Sequence, residues 1–513
     1  MGICSIWLKE YAVINASLLF QNSRLGLFSF AFIAALPVIL APLLPLVDLP
    51  GHLGRYAVQL DAGRTEQIAE WYTFTWYLVP NLGVDLIVQA LGPWLGIERA
   101  VRLAVIASVL LTALGIQLIA LAAHGRVTAG ALLAMPLIYS YPFLYGFLNF
   151  SLGLGMALCW IALWMRSASW KPLGRWPIFA LIACVLWACH LVAFGIFAIA
   201  AGSIEISRQL AAQKLIQASW RTAVSLTFLL VPLVLGAMFG PESDARGQTD
   251  FFFVWHLKAR GLLWTLRDNA ATFDMATLGI LLCAIGFAWF SRKMRLDAGL
   301  AMAVAILTML VIALPHRMLG SEFADVRLLP ATLMLALLAP RAGEGFPVPL
   351  QRVLLLAALA LFSSRIAYNG HSMWQRGSQA DVELSVLESL PPGAQLITLR
   401  ARRCDLESYW APDWQSHYAG YALLRRGAFA SDQWQIPGAQ LLRVHNPEMR
   451  PFETDPSQLI SMPGCKRKPT VEQAVARIPR AATHLWIVWS GEPIPIAGWT
   501  ILAERDRSIL YTR

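Results

Sequence analysis

The sequence contains few charged residues, and this scarcity excludes most soluble proteins. Only 14% of its 513 residues are Asp, Glu, Lys or Arg, whereas a typical soluble domain carries about 25%. The hydrophobic fraction is 57%, and 20 tryptophans and 29 prolines are mixed into the apolar runs. This composition also excludes a coiled coil, a disordered chain and a collagen-like fibre. A polytopic helical membrane protein is the class that remains.

Several common catalytic motifs are missing as well. The sequence has no Gly-Lys-Ser/Thr loop, no Gly-x-Gly-x-x-Gly at a helix start, no His-Glu-x-x-His and no Cys-x-x-Cys. Nucleotide hydrolysis, dinucleotide redox chemistry and zincin chemistry therefore lack support. The net charge of +10 does not indicate a nucleic-acid partner, because the bases lie mostly between apolar segments, where membrane topology explains them.

The seven cysteines say little about the fold. Five lie in or beside apolar segments without metal-ligand spacing and are interpreted as small packing residues. Cys404 and Cys465 fall in the polar C-terminal region. They form a disulfide only if that region is extracytoplasmic and the two side chains meet, which the sequence leaves open.

Eleven apolar segments are candidates for membrane spans, each of which needs about 20 apolar residues unless the bundle shields it. The segment from 177 to 203 is either one helix or a tight pair about His190, and the charge pattern favours the pair. The candidates are 25–47, 100–122, 127–140, 147–165, 177–189, 191–203, 222–240, 275–291, 297–314, 327–340 and 349–366.

The distribution of charge predicts the direction of these spans. One set of connections is strongly basic and is expected on the cytoplasmic side. The loops 48–99, 241–274 and 315–326 carry mixed charge and are expected outside. The cytoplasmic bases would be Lys9, Arg24, Arg126, Arg166, Lys171, Arg175, Arg208, Lys214, Arg221, Arg292, Lys293 and Arg295.

This topology predicts three parts. Residues 1–24 form a cytoplasmic N-terminus, residues 25–367 a membrane domain, and residues 368–513 an extracytoplasmic α/β domain. The first span is expected to stay as an uncleaved anchor, and the composition suits a bacterial inner membrane with a periplasmic C-terminal domain. In that domain the pattern predicts a helix at 382–390, strands at 395–399 and 484–489, a helix at 471–478, and a hairpin of strands 499–503 and 508–512.

Asp48 is the first candidate for a functional residue. It ends the first apolar segment, where a carboxylate close to hydrocarbon is costly and often functional. His52 and Arg55 follow at i+4 and i+7, which places the three side chains on one face if a helix begins after Pro50. The alternative is a helix terminus marked by a solvated acid.

The long first loop holds a second acid, Asp85, within the apolar stretch from 78 to 95. An acid in such a stretch needs a partner or water, so Asp85 is a candidate for substrate binding. Aromatic residues between Trp71 and Tyr77 are more typical of interfacial anchors, and this part of the loop suits juxtamembrane helices.

A second polar cluster lies between two spans on the same predicted face. His316, Arg317, Glu322, Asp325 and Arg327 could bind a phosphate diester, since arginine fits phosphate bidentately. They could equally neutralise one another at the surface.

Four further residues are weaker candidates for substrate binding on this face. Tyr145 and Asn149 lie in a short loop, and His190 lies at the tip of the helix pair, where packing is the alternative. Lys258 lies in the loop 241–274, where it could attract an anionic headgroup or remain solvated.

These features together resemble the GT-C superfamily of membrane glycosyltransferases. The resemblance is architectural over the whole chain, and the segment from Val101 to Pro136 looks like a hairpin of the bacterial protein-mannosyl and aminoarabinose transferases. In that family an Asp in the first outside loop is catalytic, and Asp48 of Asp-Leu-Pro-Gly-His-Leu matches it. The sequence resembles a branch with Asp-x-Pro-x-His-Leu at this point. It lacks the Asp-Glu or Asp-x-Asp pair of other branches, so dependence on a divalent metal stays open.

The resemblance implies a polyprenyl-phosphate sugar as donor and a lipid, glycan or protein hydroxyl as acceptor. Asp48 would be the general base of an inverting transfer with His52 beside it, and the basic residues would receive the lipid phosphate. Two other classes stay open. A transporter or flippase of a lipid-linked anion would use the same groups for binding, and an assembly protein would need only the spans and the external domain.

Overall fold

The computed structural model describes most of the chain. It covers residues 24–240, 248–402, 410–433, 435, 440–453, 459–461, 469–488 and 492–513. The segment before residue 24 and both polar-region cysteines, Cys404 and Cys465, lie outside the described residues. Their disulfide therefore stays an open question.

Helices form the larger, apolar part of the molecule. One short strand, β1 Tyr72–Phe74, lies in the first loop, and two others, β2 Met294–Leu296 and β3 Pro340–Ala342, pair antiparallel. The helices are α1 Arg24–Leu40, α2 Leu49–Asp61, α3 Glu66–Trp71, α4 Gly83–Leu95, α5 Ile97–His124, α6 Ala129–Ala134, α7 Tyr141–Tyr145, α8 Leu148–Arg166, α9 Pro172–Cys189, α10 Leu191–Leu210, α11 Leu215–Ser225, α12 Leu230–Phe239, α13 Trp255–Leu263, α14 Ala271–Phe290, α15 Ala298–Ala313, α16 Leu328–Leu338 and α17 Val348–Leu384.

Six of the described helices are long and apolar enough to cross a membrane, namely α5, α8, α9, α10, α14 and α17. The bent pair of α11 and α12 adds a seventh if the two helices form one span. The prediction of eleven spans is therefore wrong. The excess comes from the apolar segments 25–47, 127–140, 297–314 and 327–340, which form helices of fewer than 18 residues.

These short helices show why apolar composition overestimated the number of spans. α1 ends at Leu40, and the chain continues to Asp48 in irregular backbone. α16 has 11 residues, about 16 Å of helix, whereas the hydrocarbon core of a bilayer is about 30 Å thick. Every residue of α16 is buried, so its apolar character reflects packing against protein.

The segment from 177 to 203 forms two helices, as the charge pattern indicated. α9 ends at Cys189 and α10 begins at Leu191. His190 between them has an extended backbone, and its Nδ1 accepts a hydrogen bond from the Val192 amide at 3.1 Å. The imidazole therefore caps the start of α10.

α17 runs across residue 368, where the C-terminal domain was expected to begin. Its second half is fastened to the loop before α14 by the buried carboxylate of Asp268. Three side chains of α17 donate hydrogen bonds to this carboxylate, each at 2.8 Å: Asn369, Ser372 and Arg376.

A second buried carboxylate reinforces this connection. Asp274, in the first turn of α14, forms an ion pair with Arg365 of α17. The indole N–H of Trp410 donates to the same carboxylate at 2.6 Å. The C-terminal region is thereby bonded directly to the apolar bundle.

The C-terminal region folds around a six-stranded mixed sheet. β4 pairs in parallel with β5, β7 and β8, and β10 pairs antiparallel with both β8 and β9. The predicted strands and hairpin are confirmed, whereas the helix predicted at 382–390 is the end of α17 followed by a 3₁₀ turn. The elements are β4 Gln395–Arg402, α18 Ala419–Arg426, β5 Phe429–Ala430, β6 Leu442–Val444, β7 Leu459–Ser461, α19 Val471–Val475, β8 His484–Val488, β9 Thr500–Arg505 and β10 Ser508–Thr512.

Glycines let the C-terminal region pack closely on the start of α2. A Cβ at Gly420 of α18 would lie 1.9 Å from the Pro50 carbonyl oxygen, and one at Gly54 would lie 3.0 Å from the Gly420 Cα. Only glycine permits this approach of two backbones. β1 also pairs antiparallel with β6. The first loop and the C-terminal region thus enclose the stretch around Asp48.

Candidate functional site

Backbone contacts fix the position of Asp48 between α1 and α2. Arg102 of α5 donates a hydrogen bond to the Ala41 carbonyl at 2.6 Å, just after α1 ends. The Asp48 amide donates to the Tyr145 carbonyl at 2.8 Å. This contact requires Gly146, because its φ is +94° and a Cβ there would lie 2.9 Å from the Asp48 nitrogen. The carboxylate is therefore held by rigid surroundings.

The carboxylate of Asp48 is largely removed from water. Its side chain keeps 15% of its exposure and makes no capping hydrogen bond to α2. Burial raises the pKa of Asp48 to about 7, although the positive charge of Arg327 acts in the opposite direction. A carboxyl that titrates near neutrality suits a general base.

The C-terminal region contributes His417 to the same site. Its Nε2 lies 3.6 Å from Oδ1 of Asp48, which is longer than a hydrogen bond. Burial, with a further contribution from Arg400, lowers the pKa of His417 to about 3. The imidazole is therefore neutral at physiological pH, and this contact is not an ion pair.

Arg327 is a buried cation beside Asp48. Its Nη1 donates to the Ser321 hydroxyl at 2.9 Å, and its guanidinium lies 4.1 Å from the centre of the Phe147 ring. Within the described part of the chain, its Nε has no hydrogen-bond partner. A buried guanidinium with an unused donor is suited to an anion such as a phosphate.

Aromatic rings line the space next to Arg327. Tyr141, Tyr145, Phe147 and Phe323 lie in contact, with ring centres 5.0 to 6.2 Å apart. They come from α7, the loop after it and the loop before α16. The rings are tilted or perpendicular to one another and form an apolar wall beside Arg327. The substrate contact predicted for Tyr145 stays a prediction.

Arg267 closes another side of the site. Its guanidinium lies 4.1 Å from the centre of the Trp264 ring. It donates to the Trp410 carbonyl and, at 3.2 Å, to the Ala411 carbonyl. The loop before α14 is therefore joined to the C-terminal region at this edge.

His52 lies one turn after Asp48, as predicted. Its amide donates to the Asp48 carbonyl at 3.1 Å, and its ring stacks on Tyr56. Burial, followed by the charges of Arg55 and His417, lowers the pKa of His52 well below its usual value. A neutral imidazole can orient a group but does not supply charge.

His190 borders the site from the tip of the α9–α10 pair. Its ring packs edge-on to Phe150, with centres 5.5 Å apart. It also interacts electrostatically with Arg327. Its Nδ1 is occupied by the cap of α10, so only Nε2 is available to a ligand.

Arg55 and Asp85 form a pair of their own, away from the Asp48 carboxylate. Two nitrogens of Arg55 contact the two oxygens of Asp85 at 2.6 and 3.1 Å, and both side chains are buried. Asn149 donates to Asp85 at 3.3 Å and accepts from the Val84 amide at 2.6 Å. This geometry joins α2, α4 and α8, which differs from the binding roles predicted for these residues.

Part of the predicted phosphate cluster is also internally paired. Asp325 contacts Nδ1 of His316 at 2.9 Å and Nζ of Lys258 at 2.7 Å. Burial opposes ionisation of Asp325, but these two hydrogen bonds outweigh it and lower its pKa. The three residues form a closed group that holds α13 against the loop before α16.

Arg317 and Glu322 lie nearer the surface. Arg317 contacts Glu322 at 2.5 Å and Asp250 at 3.3 Å, which fastens two loops together. Glu322 is also within electrostatic range of Arg327. Of the basic residues predicted to bind phosphate, Arg327 alone is placed beside Asp48 with an unused donor.

The described ranges contain no group of three His, Cys, Asp or Glu side chains that could hold a metal ion. At the candidate site, Asp48 and His417 are two side chains of this kind, one fewer than such a group needs. The described part of the chain therefore shows no complete set of ligands for a divalent metal.

Three residues that build the site were not identified from the sequence. Arg102 offered a signal, since an arginine within an apolar segment needs a partner. Gly146 and His417 offered none, because nothing in the local pattern relates them to Asp48. The contact of His417 depends on the packing of α18 against α2.

Comparisons with known proteins add no relative to this description. No family model matches the chain, and no curated protein or solved structure is significantly similar to it.

Proposed function

We propose that the protein is a GT-C-type membrane glycosyltransferase that moves a sugar from a polyprenyl-phosphate donor to an acceptor hydroxyl. The observation that carries this proposal is that an acid and a buried guanidinium lie within electrostatic range of each other at one end of the bundle. Asp48 has a pKa near 7 and can take a proton, and Arg327 has an unused donor that can receive a phosphate.

The chemistry follows from these two roles. The acceptor hydroxyl gives its proton to Asp48 while its oxygen bonds to the anomeric carbon of the sugar. The bond from that carbon to the phosphate oxygen breaks, and the leaving lipid phosphate takes the electron pair. Arg327 stabilises the charge that develops on this phosphate. Attack opposite the leaving group inverts the configuration.

The surroundings suit this reaction. The wall of Tyr145, Phe147 and Phe323 offers apolar ring faces to a sugar and excludes water from the reacting atoms. His417 lies against Asp48 from the C-terminal side. The small residual exposure of Asp48 is the route by which an acceptor would reach it.

The distribution of charge supports an orientation with Asp48 on the periplasmic face of a bacterial inner membrane. The opposite end of the bundle carries the basic connections, which the positive-inside rule assigns to the cytoplasm. The lipid of the donor would enter from the bilayer, with its phosphate at the Asp48 end.

The test is sugar transfer by the purified protein from a panel of polyprenyl-phosphate sugars. We expect Asp48→Asn to lower transfer by about 10²- to 10⁴-fold, the range for loss of a general base. Glu70→Gln, a change at an exposed acid of α3, is the matched control and should retain activity. Both variants are compared with the wild type for equal folding.

Two results would overturn the proposal. Donor binding without turnover in the wild type would favour the transport of a lipid-linked anion or an assembly role. Transfer that persists in Asp48→Asn would show that another group removes the proton.

A further inference from the structure

A groove lies at the end of the bundle opposite to Asp48. It encloses about 550 Å³ between the loop after α5, the second half of α14 and the start of α17. Its floor is apolar and includes Leu133, Phe287, Leu337 and Leu355. α16 separates it from the Asp48 site by 11 residues, or about 16 Å of helix. The groove therefore belongs to neither the base nor the phosphate site described above.

Three arginines line this groove. Arg126 follows the end of α5, Arg341 lies in β3, and Arg352 lies in the first turns of α17. Arg126 and Arg341 are exposed, so their guanidinium groups are accessible from the end of the bundle. Arg126 also donates weakly to Gln351 at 3.5 Å, which brings the loop after α5 close to α17.

Two acids of the described chain lie near the groove, and each has a contact of its own. Near the groove, Glu344 is highly exposed and contacts Arg295 at 3.9 Å. Asp297 caps the start of α15 through the Leu300 amide at 2.9 Å. Other exposed bases lie at this end of the bundle but outside the groove: Arg166, Lys171, Lys214, Arg221, Arg292 and Lys293.

The groove lies between helices that face away from the protein. α14 and α17 are the least buried of the membrane-length helices, with 22% of the apolar window of each inside the protein. Phe287 of α14 and Val348 of α17 line the groove and are about half exposed. An apolar groove between two lipid-facing helices, with guanidinium groups at its end, matches a lipid with an anionic headgroup.

We propose that this groove binds one anionic phospholipid. The phosphodiester lies among Arg126, Arg341 and Arg352, and an acyl chain occupies the apolar floor between α14 and α17. Guanidinium groups bind phosphate oxygens through charge-assisted hydrogen bonds. This site is independent of the proposed sugar transfer, because it lies at the other end of the bundle.

The test uses the purified full chain in detergent, titrated with phosphatidylglycerol or phosphatidylcholine, with native mass spectrometry as the readout. We expect the wild type to bind phosphatidylglycerol about tenfold more tightly, the worth of one good charged hydrogen bond. The triple variant Arg126→Gln, Arg341→Gln, Arg352→Gln should lose this preference. The matched control Lys171→Gln, Lys214→Gln, Arg221→Gln removes equal charge from exposed positions outside the groove and should keep it.

A second variant tests the apolar part of the groove. Ala288→Trp places a large ring on the groove wall and should weaken the binding of both lipids. Equal loss of preference in the two triple variants would overturn the proposal, because surface charge alone would then explain it. Unchanged binding by Ala288→Trp would also overturn it. If inorganic phosphate at the same concentration displaces phosphatidylglycerol, the arginines bind a soluble anion rather than a lipid, and the proposal is overturned.

Discussion

Asp48 and Asp85 are two buried acids at the same end of the bundle, but their surroundings differ. Asp85 contacts Arg55 through both oxygens and is fully buried. Asp48 is 15% exposed, lies 3.6 Å from a neutral His417 and feels the charge of Arg327 without a direct ion pair to it. Burial alone therefore does not identify a functional acid. The informative feature is a buried acid whose partner is not committed to it.

The two acids also affect stability in opposite ways. A buried ion pair becomes destabilising when one partner is lost, because the other charge stays buried without compensation. A buried carboxylate with a raised pKa favours the proton-bound native state and lowers stability once it ionises. We therefore expect substitutions of Asp85 to damage the fold and substitutions of Asp48 to spare it.

The largest expected effect is that of Asp85→Asn. The change leaves the buried guanidinium of Arg55 without a counter-charge, so we expect the free energy of unfolding to fall by about 3–5 kcal/mol. Denaturation of the purified protein in detergent measures this loss, with the exposed Glu70→Gln as the control. A loss below about 1 kcal/mol, the range of a surface pair, would show that the Arg55–Asp85 pair does not support the fold.

The pH dependence of stability gives the next effect. The pKa of Asp48 is about 7 in the folded protein against 3.8 when unfolded, so its contribution to stability is fully present below pH 3.8, falls as pH rises from 3.8 to 7 and does not change further above 7. Relative to Asp48→Asn, the wild type should lose about 2–4 kcal/mol between pH 4 and pH 8. The comparison needs denaturation of both proteins at several pH values. A difference that does not change with pH would contradict the raised pKa.

Asp268 tests whether a second paired acid behaves like Asp85. Asp268→Asn and Arg376→Met should each destabilise the protein, but the double variant should be more stable than the sum predicts, with a coupling of about 1–3 kcal/mol. The same variants should speed proteolytic release of the C-terminal region, because Asp268 holds α17. Simple additivity of the two changes would show that this contact carries no energy.

His417→Gln should have the smallest effect. We expect kcat for sugar transfer to fall about tenfold, as for loss of one neutral contact, with little change in KM. Because His417 is already neutral, the rising limb of the pH–rate profile should stay near pH 7. A shift of that limb to higher pH would show that His417 carries a charge beside Asp48.

Local patterns predicted the parts of the fold that depend on neighbouring residues. The pair about His190 and the final hairpin were predicted correctly, because charge, turn residues and apolar periodicity are local signals. The count of spans failed at helices such as α16, since an apolar helix buried in protein has the same composition as one in lipid. Only the length of the helix separates an apolar helix buried in protein from one that spans the bilayer.

The candidate site was predictable only in part. Asp48 was identified because an ionisable group at the end of an apolar segment is unusual, and Arg327 because it belongs to a cluster of acids and bases between two apolar segments. Spacing grouped Asp48 with Arg55, but the structure pairs Arg55 with Asp85, 30 positions away. His417 reaches Asp48 through tertiary packing of α18 on α2, which no local pattern encodes.

The most direct test of the central claim is a titration of the Asp48 carboxyl by infrared difference spectroscopy. Wild type, Asp48→Asn and Asp85→Asn are compared, with the carbonyl band of the protonated acid as the signal. Other buried carboxyls also titrate near neutrality, so the signal is the difference between wild type and Asp48→Asn. We predict that this difference contains a carbonyl band that disappears near pH 7, and that the same band is present in Asp85→Asn. A difference between wild type and Asp48→Asn that contains no such band above pH 5 would contradict the claim, because Asp48 would then be an ordinary ionised acid.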